Sequence, residues 1–179
     1  FSDDALTPTC PSLDLTLPEL ETRKAVLLIG SNLRKDQPLL NLRVRRAAEA
    51  GAPVMVINPV DYEFNYRLAL KRIANPVELL RDAARVAVAA AAGKGAAVAA
   101  DVKKLASGQP SDTERAMAER LVAAGTDGLV LLGLFAAGHP RSAALRSVAR
   151  AIGELTGARV VNLPEANGVG AWLAGAVPH

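Results

Sequence analysis

The chain has 179 residues, half of them hydrophobic, so it can bury one substantial core, and a single domain of ordinary size is the expectation. Its 21 Lys and Arg are offset by 18 Asp and Glu with no long basic run, so the net charge of +3 leaves no footprint for nucleic acid. One cysteine, Cys10, excludes an internal disulfide, and with only His139 and His179 beside it no four-ligand metal or iron–sulfur set can be assembled.

The opening "FSDDALTPTC" has neither an initiator Met nor a signal pattern, and no apolar stretch reaches membrane-spanning length. The expectation is a soluble piece of a longer protein, with an N-terminal extension over 1–24 and a single α/β domain over 25–179. Cys10, flanked by prolines, reads as an idle or buried thiol.

"AVLLIG" (25–30) is a short, continuously apolar run, which predicts a strand buried on both faces. From Pro38 to Ala50 the chain reads as a helix, with Leu39, Leu42, Val44 and Ala47 on its inner side and Arg43, Arg45, Arg46 and Glu49 outside. Gly51 is positioned to stop that helix, and "PVMVI" (53–57) is the next buried strand, ended by Asn58-Pro59. The same order returns about a hundred residues later: "GLVLLG" (128–133), a helix from Pro140 to Leu155, Gly157 as its stop, and "ARVVNLP" (158–164). Aligning the two places Gly30 on Gly133, Gly51 on Gly157 and Asn58 on Asn162. Two βαβ halves predict an α/β fold with a doubly wound, Rossmann-like, mostly parallel sheet. Between them, an Ala-rich helical insertion is expected at about 76–125, broken near Gly93-Lys94-Gly95 and near 107–112, where Ser111 or Asp112 caps the next helix. Gly93-Lys94 is not a P-loop: no strand precedes it, the earlier Gly is missing and no Ser or Thr follows the Lys.

The turn Gly30-Ser31-Asn32 has two readings. Gly30 permits close approach of a ligand, Ser31 and Asn32 offer hydrogen bonds, and the helix beyond offers free N–H groups to a phosphate. Alternatively this is an ordinary strand-to-helix turn, with Asp36 capping the helix. At the second strand end, where dinucleotide folds place an acid for the ribose, the chain has Asn58, which reads as a polar strand cap. Gly-Ser-Asn is also not the Gly-x-Gly-x-x-Gly fingerprint of an NAD-binding domain. His139, before Pro140, has no carboxylate or nucleophile partner in sequence and reads as a capping or surface residue.

"LLIGSNLRKDQPLLNLRVRRAAEAGAPVMVINP" resembles the cofactor-binding segment of the molybdopterin oxidoreductase family. More narrowly, "FSDDALTP", "GSNLRKDQPLLNLRVRRA" and "LPEANGVGAWLAGAVP" resemble the family of large peripheral-arm subunits of the bacterial respiratory NADH:quinone oxidoreductase, complex I. The resemblance implies a fold built to hold a molybdopterin guanine dinucleotide at the Gly30 turn, at an Asp-Pro-Arg after the next strand, and under an Asn-x-x-Gly loop. Here the tripeptide is Asn58-Pro59-Val60, without acid or Arg. The implied vestigial cleft is therefore Gly30, Ser31, Asn32, Asn58, Asn167, Gly168 and Gly170, with no catalytic residue, no metal and no cofactor in this fragment. The resemblance further implies iron–sulfur clusters in a missing N-terminal part of the full subunit. It implies as partners the other subunits of the hydrophilic arm and the rest of its own chain, and a peripheral place on the cytoplasmic face of the inner membrane. The alternative is a working guanine-dinucleotide-binding domain of an oxidoreductase.

Overall fold

The computed structural model describes residues 15–163 and 165–176. Cys10, His179 and the motif "FSDDALTP", with the expectations attached to them, lie outside these residues. A short helix α1 (Leu17–Glu21) precedes strand β1 (Ala25–Ile29), followed by α2 (Leu33–Asp36), α3 (Pro38–Glu49) and β2 (Val54–Asn58). Next come β3 (Leu70–Ile73), α4 (Leu79–Lys94), α5 (Ala100–Ala106) and α6 (Asp112–Ala124). The second half is β4 (Gly128–Leu132), α7 (Leu134–Ala137), α8 (Ser142–Thr156), β5 (Arg159–Asn162) and α9 (Gly168–Leu173).

All five strands are parallel, in the order β3-β2-β1-β4-β5, with Val26 level with Val54 on one side and Leu129 on the other. This is a doubly wound, Rossmann-like α/β fold. Every residue of β1, β2 and β4 is buried, as expected of apolar runs covered on both faces. Val26, Leu28, Val54, Val56, Leu129 and Leu131 form one core with Leu20 of α1 and Leu40 and Val44 of α3. Leu27, Ile29, Met55 and Ile57 face the other way, onto α4, α6 and α8. The two connecting helices α3 and α8 thus lie on opposite faces, the arrangement that two right-handed crossovers leaving the sheet centre in opposite directions require.

The strand β3 is absent from the sequence expectation. Its residues, Leu-Lys-Arg-Ile, carry two charges and are only partly buried, because β3 is an edge strand with one covered side. The segment 59–69 that leads to it contains no helix; Phe64 and Tyr66, with ring centroids 5.5 Å apart, and Leu68 pack it against the α1/α3 face. Burial holds the Tyr66 phenol well above its ordinary range.

The inner face of α3 also differs from expectation. Leu39 is 69% and Leu42 40% exposed, whereas Leu40, Asn41, Val44 and Ala47 are buried. Positions 40, 44 and 47 share a face at 3.6 residues per turn, with Leu39 about a quarter turn away from it and Leu42 on the opposite side. Helix stops follow the glycines: Gly51, Gly95 and Gly157 have φ of +97°, +63° and +85°. At α6, Ser111 is the cap, and the Ser111 N–H donates to Glu114 Oε2 at 2.6 Å in a capping box. The Ala-rich helices are not peripheral to the core: α4, α5 and α6 contribute Ala83, Ala87, Val102, Ala106, Met117 and Leu121 to the same buried cluster as Leu27.

Candidate functional site

In a doubly wound sheet the binding crevice lies beyond the carboxyl ends of the strands, where the winding reverses. Here that point lies between β1 and β4, and the turns Gly30 and Gly133 occupy it. Gly30 has φ +58°, a left-handed conformation that favours glycine. Its carbonyl accepts from the Phe135 and Ala136 N–H groups of α7 at 3.1 and 3.3 Å, and a Cβ on Gly30 would sit 2.7 Å from Ala136 N. A Cβ on Gly133 would in turn overlap the Gly30 carbonyl and the Ser31 side chain. The two halves therefore meet backbone to backbone, and α7 lies over the first turn.

Asn58 is fully buried at the end of β2 and faces Ser31, itself 1% exposed. The Ser31 N–H donates to Asn58 Oδ1 at 2.8 Å, and Asn58 Nδ2 donates to the Ser31 carbonyl at 2.9 Å. The polar strand cap anticipated at Asn58 is thus a reciprocal bridge between two strand ends. Ser31 Oγ is buried without a hydrogen-bond partner.

Asn32 starts the short helix α2, and its side chain makes no capping bond. Asp36 does not cap the following helix: it lies at the end of α2 and its Oδ2 accepts from the Asn32 N–H at 3.3 Å. Gln37 stands at the N-cap of α3, with Pro38 at the first helical position, where its missing N–H costs nothing. Arg34, the cation nearest the turn in sequence, points to the 59–69 segment, 3.2 Å from Glu63 Oε2.

The third group, Asn167, Gly168 and Gly170, lies at the start of α9. Asn167 is exposed with φ +58°, its carbonyl accepts from the Ala171 N–H, and its amide lies over Gly170, where any Cβ would collide with it. That contact explains the Asn-x-x-Gly spacing as local packing. No hydrogen bond among the described residues joins this loop to Gly30, Ser31, Asn32 or Asn58. The structure therefore gathers Gly30, Ser31 and Asn58, keeps Asn32 beside them in the chain, and joins the 167–170 loop to none of them by a hydrogen bond.

His139, anticipated as a capping or surface residue, is not at the surface but is buried beside the start of α8. It is 7% exposed; Nδ1 accepts from the Arg141 N–H at 3.0 Å and Nε2 lies 3.2 Å from the Pro76 carbonyl. With Nδ1 accepting, Nε2 is the ring's donor, so His139 ties the α7–α8 turn to the turn after β3. The register moves the expected alignment by one residue: Asn162 stands level with Leu132 as Ile57 does with Ile29, so Leu163, not Asn162, takes the place of Asn58 in the second half, and Asn162 lines a cavity of about 80 Å³ with Leu132, Ser142 and Arg146. Among the described residues no three His, Cys, Asp or Glu side chains are grouped as metal ligands, and no helix is long and apolar enough to cross a membrane.

A family model described as molybdopterin oxidoreductase matches residues 9–125, more than half of the chain. Comparison with curated proteins finds no matching relative. Among solved structures the chain is similar to one from the formyltransferase/hydrolase complex of Methylorubrum extorquens, solved in complex with methylofuran, at 17% identity and a TM-score of 0.55. That likeness covers 90% of this chain and 44% of the other, so the chain spans under half the length of its structural relative. At such identity the likeness speaks for the fold alone.

Proposed function

Because this chain belongs to the molybdopterin oxidoreductase family, we propose that it is a scaffold domain of that fold which no longer holds a guanine dinucleotide, and that it serves in the large peripheral-arm subunit of a bacterial NADH:quinone oxidoreductase. The observation that carries this reading is the switch point itself. Where a dinucleotide would lie, the Gly30 carbonyl is bonded to α7 and the Gly133 turn packs on Ser31. The residues present do not fit the family's cofactor: Asn58 is committed inward, Val60 brings no charge, and Arg34 is turned to Glu63. On this reading the domain contributes packing surfaces to the hydrophilic arm and to the rest of its own subunit. Electrons pass through iron–sulfur clusters held elsewhere, and the assembly sits peripherally at the cytoplasmic face of the inner membrane.

A second reading, a working guanine-dinucleotide domain, draws on one feature, the buried Ser31 Oγ without a partner. Thermal unfolding with GDP, GMP or NADH separates the two. A ligand at a hundred times its dissociation constant stabilises by roughly 2.7 kcal/mol, a shift of several degrees. None is expected. In the full subunit, Ser31→Ala with Asn32→Ala should leave NADH:quinone electron transfer at the wild-type rate; a lost rate in a normally assembled complex would overturn the scaffold reading.

A further inference from the structure

We infer that Asn58 is an internal ligand of the Gly30 turn, and that this self-occupancy holds the Ser31 N–H and carbonyl out of reach of an external phosphate-bearing nucleotide. The inference rests on the scaffold reading and goes further, assigning the closure of the cleft to one side chain rather than to missing charges. A primary amide presents one acceptor and one donor side by side, and the Ser31 peptide groups present the complement. Both bonds are short, at 2.8 and 2.9 Å, and both residues are at most 1% exposed. An incoming phosphate oxygen would have to displace Oδ1 from the Ser31 N–H and strand the amide in a buried site, where an unpaired polar group is costly.

The arrangement is specific to the amide. An Asp at this position could accept from the Ser31 N–H, but its second oxygen would face the Ser31 carbonyl, acceptor against acceptor, so the carboxylate would have to turn outward. A change of one atom, nitrogen to oxygen, thus decides whether the end of β2 closes on its neighbour or faces the crevice. The second half has no such bridge, because the position that matches Asn58 by register is Leu163, just after β5, which carries no amide.

The test uses labelled protein with assigned backbone amides, as wild type, Asn58→Ala and Asn58→Asp. In wild type, Ser31 exchange should track that of Leu28, and millimolar GDP should leave the Ser31 resonance unmoved. In both variants the Ser31 to Leu28 exchange ratio should rise about ten-fold, the equivalent of about 1.4 kcal/mol, and in Asn58→Ala the Ser31 resonance should move with GDP. Taking the ratio removes any general loss of stability, and Asn58→Asp carries the exchange test alone if Asn58→Ala does not fold. An unchanged ratio, or a Ser31 in Asn58→Ala that stays blind to GDP, overturns the inference and leaves the scaffold reading standing. A wild-type Ser31 that responds to GDP overturns both.

Discussion

Where the Gly30 and Gly133 turns meet, two residues in contact have opposite tolerances. Ser31 Oγ is buried and bonded to nothing, so Ser31→Ala removes only an unsatisfied hydroxyl, and its effect on stability should lie within about 0.5 kcal/mol in either direction. Gly133 has ordinary negative φ, yet a Cβ there would strike the Gly30 carbonyl and Ser31, which are backbone and cannot step aside. Gly133→Ala should therefore destabilise by about 1–3 kcal/mol, the range for forcing a methyl into a packed interior. Urea midpoints of the two variants check both values; a tolerated Gly133→Ala would show that the halves do not meet as closely as described. The contrast also marks what sequence could tell. Gly30 and Gly133 were visible as strand ends aligned by the repeat, but their mutual contact joins positions a hundred residues apart. The Asn58 bridge was legible only as a polar cap, because its partner is a backbone 27 residues away and leaves no side-chain signal.

Among the elements, the charged contacts decide how the outer pieces are held. Asp82, in the first turn of α4, is fully buried and receives Arg72 Nε of β3 at 2.9 Å and Arg81 Nε at 3.0 Å, with Arg85 4.0 Å away. Arg85 also donates to the carbonyls of Ala106 and Ser107, closing the end of α5. One carboxylate thereby orients the guanidinium groups that tie β3, α4 and α5 together. Asp82→Ala should cost about 3 kcal/mol, the lower end of the range for breaking a buried pair because the arginines can still reach water. Loosening should appear first in β3 and α5 by amide exchange. On the opposite face α1 is held by Glu21, which accepts from Arg43 and, at 2.8 Å, from Arg46 of α3. These two bonds, Arg43 foremost, hold the Glu21 carboxyl below its ordinary range. A carboxylate lowered in the folded state stabilises above its unfolded value and loses that contribution as pH falls through the folded one. Acidification below the ordinary glutamate range should therefore loosen α1 on α3, with Leu20 still buried between them, and a Glu21→Gln variant should show no such step in the Leu20 amide shift. None of this was legible beforehand: Arg72 and Lys71 hid β3 by interrupting its apolar run, and leucines on several sides of α3 obscured its inner face. The strands whose every residue is apolar, β1 and β4, were placed within a residue or two, since burial on both faces leaves no other composition.

For the molecule as a whole, the strand order sets a gradient of order from the centre outward. The strands β1, β2 and β4 are buried along their full length and bonded on both sides, so their amides have no route to solvent short of opening a core. The strands β3 and β5 are half exposed and bonded on one side, and α9, with Leu173 79% exposed, has no extensive packing partner among the described elements. Local opening needs only the contacts of the piece that opens, so its free energy falls as those contacts become fewer. The exposed apolar side chains follow the same geometry. Of the seven large exposed apolar side chains among the described residues, all but Leu42 (Leu39, Val60, Val77, Phe135, Val169 and Leu173) lie in segments that leave the carboxyl ends of strands, the end that carries a ligand in doubly wound sheets. Native-state exchange should therefore show one slow class in β1, β2 and β4, limited by global unfolding, a faster class in β3 and β5, and the fastest in α9. Adding denaturant should accelerate the slow class steeply, because it exposes the whole core, and leave α9 nearly unchanged. If β1 and β4 instead exchanged in separate classes with different denaturant slopes, the two βαβ halves would be independent units, and the backbone contact between Gly30 and Gly133 would not be the seam that makes them one fold.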